Sequence, residues 1–161
     1  VELGLQTIND KTAENFNRGY KFEVFKEGIK KLQDRGIEVV VHSIFGLPGE
    51  TKEDMLRTID YIAHSGAQGI KFHLLHLMKN TKMAEQYYNG EFELLSEEDY
   101  IDLICQGISM IPEEMVVHRL TGDAPRATLI GPMWSLKKWE VLNAIDKALV
   151  DRDIWQGKNF K

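Results

Sequence analysis

The sequence predicts an α/β fold: parallel strands with outer helices, about half of a TIM-like (β/α)8 barrel or the second part of a (β/α)6 open barrel. Three observations predict it. Strand-like apolar runs alternate with amphipathic helical stretches along the chain. Glycines follow the last periodic residue of several helices, as Gly36 and Gly66 do. The stretch Val39 to Thr51 runs from a buried strand straight into a Gly46-Leu47-Pro48-Gly49 turn and a capped helix. A strand that ends this way brings its polar residues to the carboxyl edge of a sheet, where α/β folds keep their ligands. A compact doubly wound sheet is the competing arrangement.

The elements follow in order. Val1 to Gln6 alternates and reads as a strand with Glu2, Gly4 and Gln6 on one face. Thr7 to Tyr20 is polar, with one short helix expected around Thr12 to Phe16. Phe22, Phe25, Ile29 and Leu32 recur at helical spacing within Lys21 to Arg35. Ile37 to Phe45 is the second strand. Thr51 and Asp54 form a capping-box variant that opens a helix over Lys52 to Ser65, with Met55, Ile59 and Ile62 inward. Gly69 to His76 is the third strand. A short helix over Thr81 to Tyr88 follows, then a helix from Ser96 to Met110, a fourth strand over Met115 to Arg119, and a loop from Thr121 to Pro132. An amphipathic helix over Leu136 to Leu149 closes the domain, and the polar tail Asp151 to Lys161 is expected on the surface.

With 161 residues the chain suits one domain, 1–161, with a sizeable core. Its first residue, Val1, falls inside an apparent strand, so the chain reads as a piece of a longer protein. No apolar run approaches the ~20 residues that span a bilayer, and no signal peptide opens the chain, so no membrane contact and a cytoplasmic location are expected. The net charge of -5 gives no global attraction to nucleic acid. Cys105 stands alone, which excludes a disulfide framework and a cysteine-built metal site within these residues.

Polar residues on the strands make a short list of candidates. Alternation puts Glu2 with Gln6, His42 with Ile44, and Lys71 with His73 and Leu75, while His118 lies on the fourth strand. Burying such groups costs several kcal/mol unless they are paired or bind something. Taken singly, each is as readily a satisfied polar residue; their convergence at strand ends favours a polar-ligand site. A histidine metal site is not expected, because His73 and His76 are three apart in a strand and point to opposite faces. Asp123 reads as a turn residue before it reads as a general base. Cys105 reads as core, and Met110, Met115, Met133 and Trp134 as core or interface fillers. The lysines and arginine at 137, 138, 147, 152, 158 and 161 read as a solvated face.

Glu2-Leu-Gly-Leu-Gln6, Asn17-Arg-Gly-Tyr20 and Ser43-Ile-Phe-Gly-Leu-Pro-Gly-Glu-Thr51 together resemble the fourth and fifth β/α units of the radical SAM superfamily. Val117 to Pro125, with Pro132-Met-Trp-Ser135 and Gln156-Gly157, looks like the C-terminal half of one subfamily, bacterial Fe-S oxidoreductases related to the Elongator catalytic subunit. The resemblance implies the C-terminal half of a radical SAM-type partial barrel. Its parent would cleave S-adenosylmethionine reductively at a [4Fe-4S] cluster and abstract hydrogen from a substrate, with a tRNA base as one candidate. The electron would come from a donor such as flavodoxin or ferredoxin.

The resemblance also assigns residues. Gln6 and Arg18 would contact the ribose and carboxylate of S-adenosylmethionine, through an amide and a bidentate guanidinium. Glu2 would hold the ammonium or the substrate, Ile44 would pack on adenine, and Phe72 and His73 would lie near adenine or substrate. His42 stands where many relatives carry Asp, and its imidazole would bond a hydroxyl. The CxxxCxxC cluster loop and the glycine-rich second-unit motif do not occur in these 161 residues, so the chain alone is expected to be inactive. Two other readings compete. One is a non-SAM barrel lyase or hydrolase using Lys71 or Asp123. The other is a non-catalytic half-barrel binding module, which would form a homodimer along the first or last strand because exposed edges invite pairing.

Overall fold

The computed structural model describes residues 1–161. Strands β1 (Glu2–Gln6), β2 (Val40–Phe45), β3 (Gly69–Leu74) and β5 (Val116–Arg119) form one sheet in the order β1-β2-β3-β5. All three pairings are parallel, so the four carboxyl ends lie along one edge. Helices α1 (Asp10–Asn15) and α2 (Phe22–Gln33) join β1 to β2, and α3 (Lys52–His64) joins β2 to β3. Helices α4 (Lys82–Tyr88) and α5 (Glu97–Met110) lead to β5, and α6 (Lys138–Asp151) follows it. The predicted α/β half-barrel is therefore the observed one.

Period-2 alternation sorts each strand onto two faces. Leu5, Val41, Ser43, Phe45, Ile70, Phe72 and Leu74 are buried against the helices, while their neighbours Glu2, His42, Ile44, Lys71 and His73 line the open face. One core of 22 buried residues fills the space between sheet and helices, with Phe25 and Ile29 from α2, Met55, Ile59 and Ile62 from α3, and Leu103 and Ile104 from α5. Tyr100 is wholly buried there, and its hydroxyl donates to the Leu120 carbonyl at 2.8 Å, so no polar atom is stranded. Cys105 is also wholly buried.

The helix starts are specified locally. Thr51 Oγ1 accepts from the Asp54 amide at 3.2 Å and Asp54 Oδ2 accepts from the Thr51 amide at 2.9 Å, a complete capping box. Ser96 caps α5 in the same way, with Glu97, Glu98 and Asp99 in the first turn beside the positive end of the helix dipole.

Three segments differ from expectation. The third strand stops at Leu74, and Leu77–Met78 (β4) turns away to pair antiparallel with Leu129–Gly131 (β6), inside the segment expected to be loop. His76 therefore lies beyond the strand, and alternation does not govern where it points. Met133, expected to be filler, is 52% exposed at the start of a 3-10 turn. The tail is docked and not merely laid on the surface. The Gln156 amide donates to the Pro112 and Met115 carbonyls at 2.7 Å each, and the Gly157 and Asn159 amides donate to the Ile108 and Ser109 carbonyls. No helix is long and apolar enough to cross a membrane.

Candidate functional site

The open sheet face carries a connected polar cluster. Glu2 on β1 binds the Lys71 ammonium with one carboxylate oxygen and His42 Nε2, at 2.9 Å, with the other. The strand register explains the meeting, since Gly4 pairs with His42 and His42 with Lys71 across three adjacent strands. The His42 ring in turn stacks on His73, with centroids 5.0 Å apart and planes 28° apart. Ile44 lies beside His73 in register and offers the apolar part of this surface. Hydrogen bonding from Lys71 holds the Glu2 carboxyl below its ordinary range. Both imidazoles are pushed towards their neutral forms. Burial lowers His42 despite Glu2, and burial followed by the neighbouring His42, Arg119 and Lys71 lowers His73 to about 4. His73 Nε2 is buried without a partner.

The carboxyl edge of β1 is fixed by a left-handed residue and by Arg18. Gln6 has φ 60°, the register slips between Gly4 and Gln6, and the Gln6 side chain folds back over Gly4. A Cβ on Gly4 would displace the end of the Gln6 side chain from this position, so glycine leaves room for the folded-back amide. Oriented to satisfy its neighbours, the amide donates to the Leu5 and Gly4 carbonyls at 2.9 and 3.1 Å. That leaves the Gln6 carbonyl oxygen to accept from a ligand.

Arg18 does different work from the expected carboxylate clamp. Its side chain is 2% exposed and donates to the carbonyls of Leu5 (2.9 Å), Thr7 (2.6 Å) and Tyr20 (2.9 Å) and to Asp10 Oδ1 (2.9 Å). With its donors spent on the chain, the guanidinium shapes the edge and is not presented to a ligand. The guanidinium also lies over the Tyr20 ring, 5.0 Å from its centroid.

The β2 turn is tied to the same edge. Gly46 has φ 87°, where a side chain is strained, and its Cβ position lies 3.2 Å from Leu95, so the turn favours glycine. Glu50, the residue after the turn, accepts from the Thr7 hydroxyl, and Thr7 Oγ1 accepts from the Asn9 amide at 2.9 Å. Burial raises the Glu50 carboxyl above its ordinary range, and its Oε2 has no partner. Sequence reading missed Glu50 and Thr7. The signal lay in a carboxylate wedged between Gly49 and Thr51, where a turn residue facing water was the simpler inference.

One further correction concerns Phe72. It was expected near adenine, but its side chain is 0% exposed on the helix side of the sheet, against Phe45 and Gly107. The alternation that brings Lys71 and His73 to the open face sends Phe72 to the other.

Other candidates are spoken for by the chain. Asp123 is bound by Lys138 at 2.9 Å, which keeps its carboxyl below the usual range. The Lys71 ammonium is held by Glu2 and not set in an apolar pocket, so nothing prepares it as a nucleophile. Four of the C-terminal cations are paired with acids: Lys137 with Glu140, Lys138 with Asp123, Arg152 with Asp102 and Lys158 with Asp153.

Cofactor fit divides in two. An iron-sulfur cluster needs several thiolates, whereas this chain offers only Cys105, buried on α5 and raised above its ordinary pKa by that burial, and no group of three or more metal-binding side chains. These residues do not fit a cluster. An adenosine-like group is better served, by the Gln6 oxygen, the Ile44 surface and the stacked neutral imidazoles of His42 and His73.

Comparison with known proteins identifies the family. The family model described as Radical SAM superfamily matches residues 1–62, and that described as Radical_SAM C-terminal domain matches residues 67–151. The protein YtqA of Bacillus subtilis is 50% identical over 161 residues, which are 100% of this chain and 50% of YtqA. A tRNA uridine(34) acetyltransferase of Methanocaldococcus jannaschii is 27% identical over 133 residues, 81% of this chain and 25% of that protein. The archaeal Methanocaldococcus infernus Elp3 has the same fold, with a TM-score of 0.84 and 21% identity over 97% of this chain and 37% of its own. The chain thus spans about half the length of YtqA and less of the others. Two adjoining family models that together run from residue 1 to residue 151, on a parallel half-barrel, place the chain in the radical SAM superfamily.

Proposed function

We propose that this chain supplies the adenosine-side wall of an S-adenosylmethionine site in a radical SAM enzyme. The observation that carries the reading is the junction of the Gln6 edge with the Ile44 surface and the stacked imidazoles on one sheet face. When bound, S-adenosylmethionine would supply the radical that takes hydrogen from a substrate. The residues of this chain orient it. The Gln6 oxygen accepts from a ribose hydroxyl, Ile44 covers one face of the base, and Glu2 holds Lys71 and His42 beneath it. Cluster ligation falls outside these residues, so the 161 residues alone do not cleave the cofactor. The relatives carry tRNA uridine to this chain as the candidate substrate class.

An NMR titration of the chain with S-adenosylmethionine tests both parts. We expect weak, unsaturated perturbations confined to Gln6, His42, Ile44 and His73, as a half-built site with Kd of about 1 mM or weaker would give. Silence at those residues refutes the wall. Saturation in the micromolar range refutes its incompleteness.

A further inference from the structure

One cation on the open face has no partner in the chain. Parallel partners on neighbouring strands share a face, and the register sets Arg119 of β5 beside Lys71 of β3. Like charges in such positions repel each other. Lys71 is relieved by Glu2, which also binds His42. Arg119 is exposed and makes no ion pair or side-chain hydrogen bond; Asp123, the acid within its field, is held by Lys138. Two cations therefore stand against one carboxylate here, in a chain whose net charge is -5. Beside them, His73 Nε2 is buried and unpartnered. The register slip between β3 and β5 lays the His118 ring over Gly69, adding a third imidazole to the face.

We propose that His73 and Arg119 form an oxyanion site on the open sheet face, taking a phosphate or carboxylate group, with His118 at its rim. A guanidinium and an imidazolium both donate, and an oxyanion accepts from both. Arg119 is open to solvent along a groove of about 450 Å³ at the free edge of β5, lined with it by His118, Thr121 and Lys138, and His73 lies inboard of that groove on the sheet face. Binding is linked to protonation. His73 is neutral in the free chain through burial and the positive charges around it, and an anion beside it reverses the sign of that field. The groups that act most on His73 are His42, Arg119, Lys71 and His76, and the Glu2 carboxylate lies behind them, bound to His42 and Lys71. This inference goes beyond the S-adenosylmethionine reading and stands without it.

The test follows the histidine Cε1–H resonances of the 161-residue chain during titration with inorganic phosphate, and separately with acetate, against chloride at equal ionic strength. His73→Gln assigns the resonance. We expect at least one oxyanion to move His73 and raise its pKa by about one unit, with Kd of about 1–10 mM, ordinary for a single charge-assisted contact pair. Arg119→Gln should weaken the response about tenfold, the value of one such bond. Arg119 is exposed, and an unchanged circular dichroism spectrum confirms that the variant folds. A response to phosphate alone assigns a phosphoester ligand, and one to acetate alone a carboxylate. No movement with either anion at about 20 mM, equal movement with chloride, or full retention in Arg119→Gln overturns the site. S-adenosylmethionine takes no part in the assay, so a failed cofactor titration leaves this result readable.

Discussion

Replacing Arg18 separates two tasks that one side chain can be given. A clamp for a ligand carboxylate is idle in the free protein, and removing it changes only binding. The observed Arg18 is 2% exposed and satisfies three carbonyls and Asp10 in the free chain. Arg18→Met removes the donors to the buried Thr7 carbonyl and to Tyr20, leaves the Leu5 carbonyl to the Thr7 and Gln6 amides, and leaves Asp10 with only the Phe22 amide, at 2.6 Å. Each lost charge-assisted bond is worth about 1.5–3 kcal/mol, but the bonds share one cation and Asp10 is partly open to water. A net loss of about 3–4 kcal/mol follows. With a urea m-value of about 2 kcal/mol/M, the unfolding midpoint should fall by about 1.5–2 M. Arg18→Lys keeps the charge and one or two donors and should recover about half. A midpoint within about 0.2 M of the parent for Arg18→Met would refute the assigned role and return Arg18 to the ligand.

Two pH effects of opposite sign follow from groups on this face and edge. His73 has a folded pKa of about 4, below its unfolded 6.5. The unfolded chain therefore binds the proton first, so stability is full above pH 6.5 and falls as pH drops towards 4. The full gap would be about 3 kcal/mol, reduced by the openness of the face to about 1–2 kcal/mol. His73→Gln should lose that slope in urea titrations at pH 7 and 4.5, and an unchanged slope would exclude a desolvated imidazole. Glu50 is raised in the folded chain, so its contribution is present below the unfolded 4.5 and fades as pH rises through the folded value. Glu50→Gln keeps an acceptor for Thr7 and should gain stability relative to the parent as pH rises from 4 to 8, whereas a loss at pH 8 would show that the charged carboxylate has a partner.

What sequence made legible here was the face a residue takes, and what it hid was whether that residue still has a donor to give. Alternation puts His42 on one face of its strand and Lys71 with His73 on one face of theirs, because a period of two needs no tertiary information, and the parallel register then brings them to Glu2. The same rule, applied strictly, already sends Phe72 to the helices; the family resemblance placed it wrongly because a motif names neighbours in sequence and not faces. The bend at Leu75 was hidden inside the strand-like run Gly69 to Met78, and the three residues of β6 were too short to show a period. The tail was unreadable for a related reason. A single amide, Gln156, meets its carbonyls some forty residues away, across a distance that no local pattern encodes. Arg18 is the sharpest case. Its donors are consumed by the carbonyls of Leu5 and Thr7, which flank Gln6 in its left-handed conformation (φ 60°), and by Tyr20 and Asp10. Arg119 is the converse, a cation on a short exposed strand whose expected neighbour, Asp123, is taken by Lys138. A satisfied arginine and an unsatisfied one look alike in sequence. The arginine without a partner, not the one in the motif, is therefore where a ligand's charge should be sought.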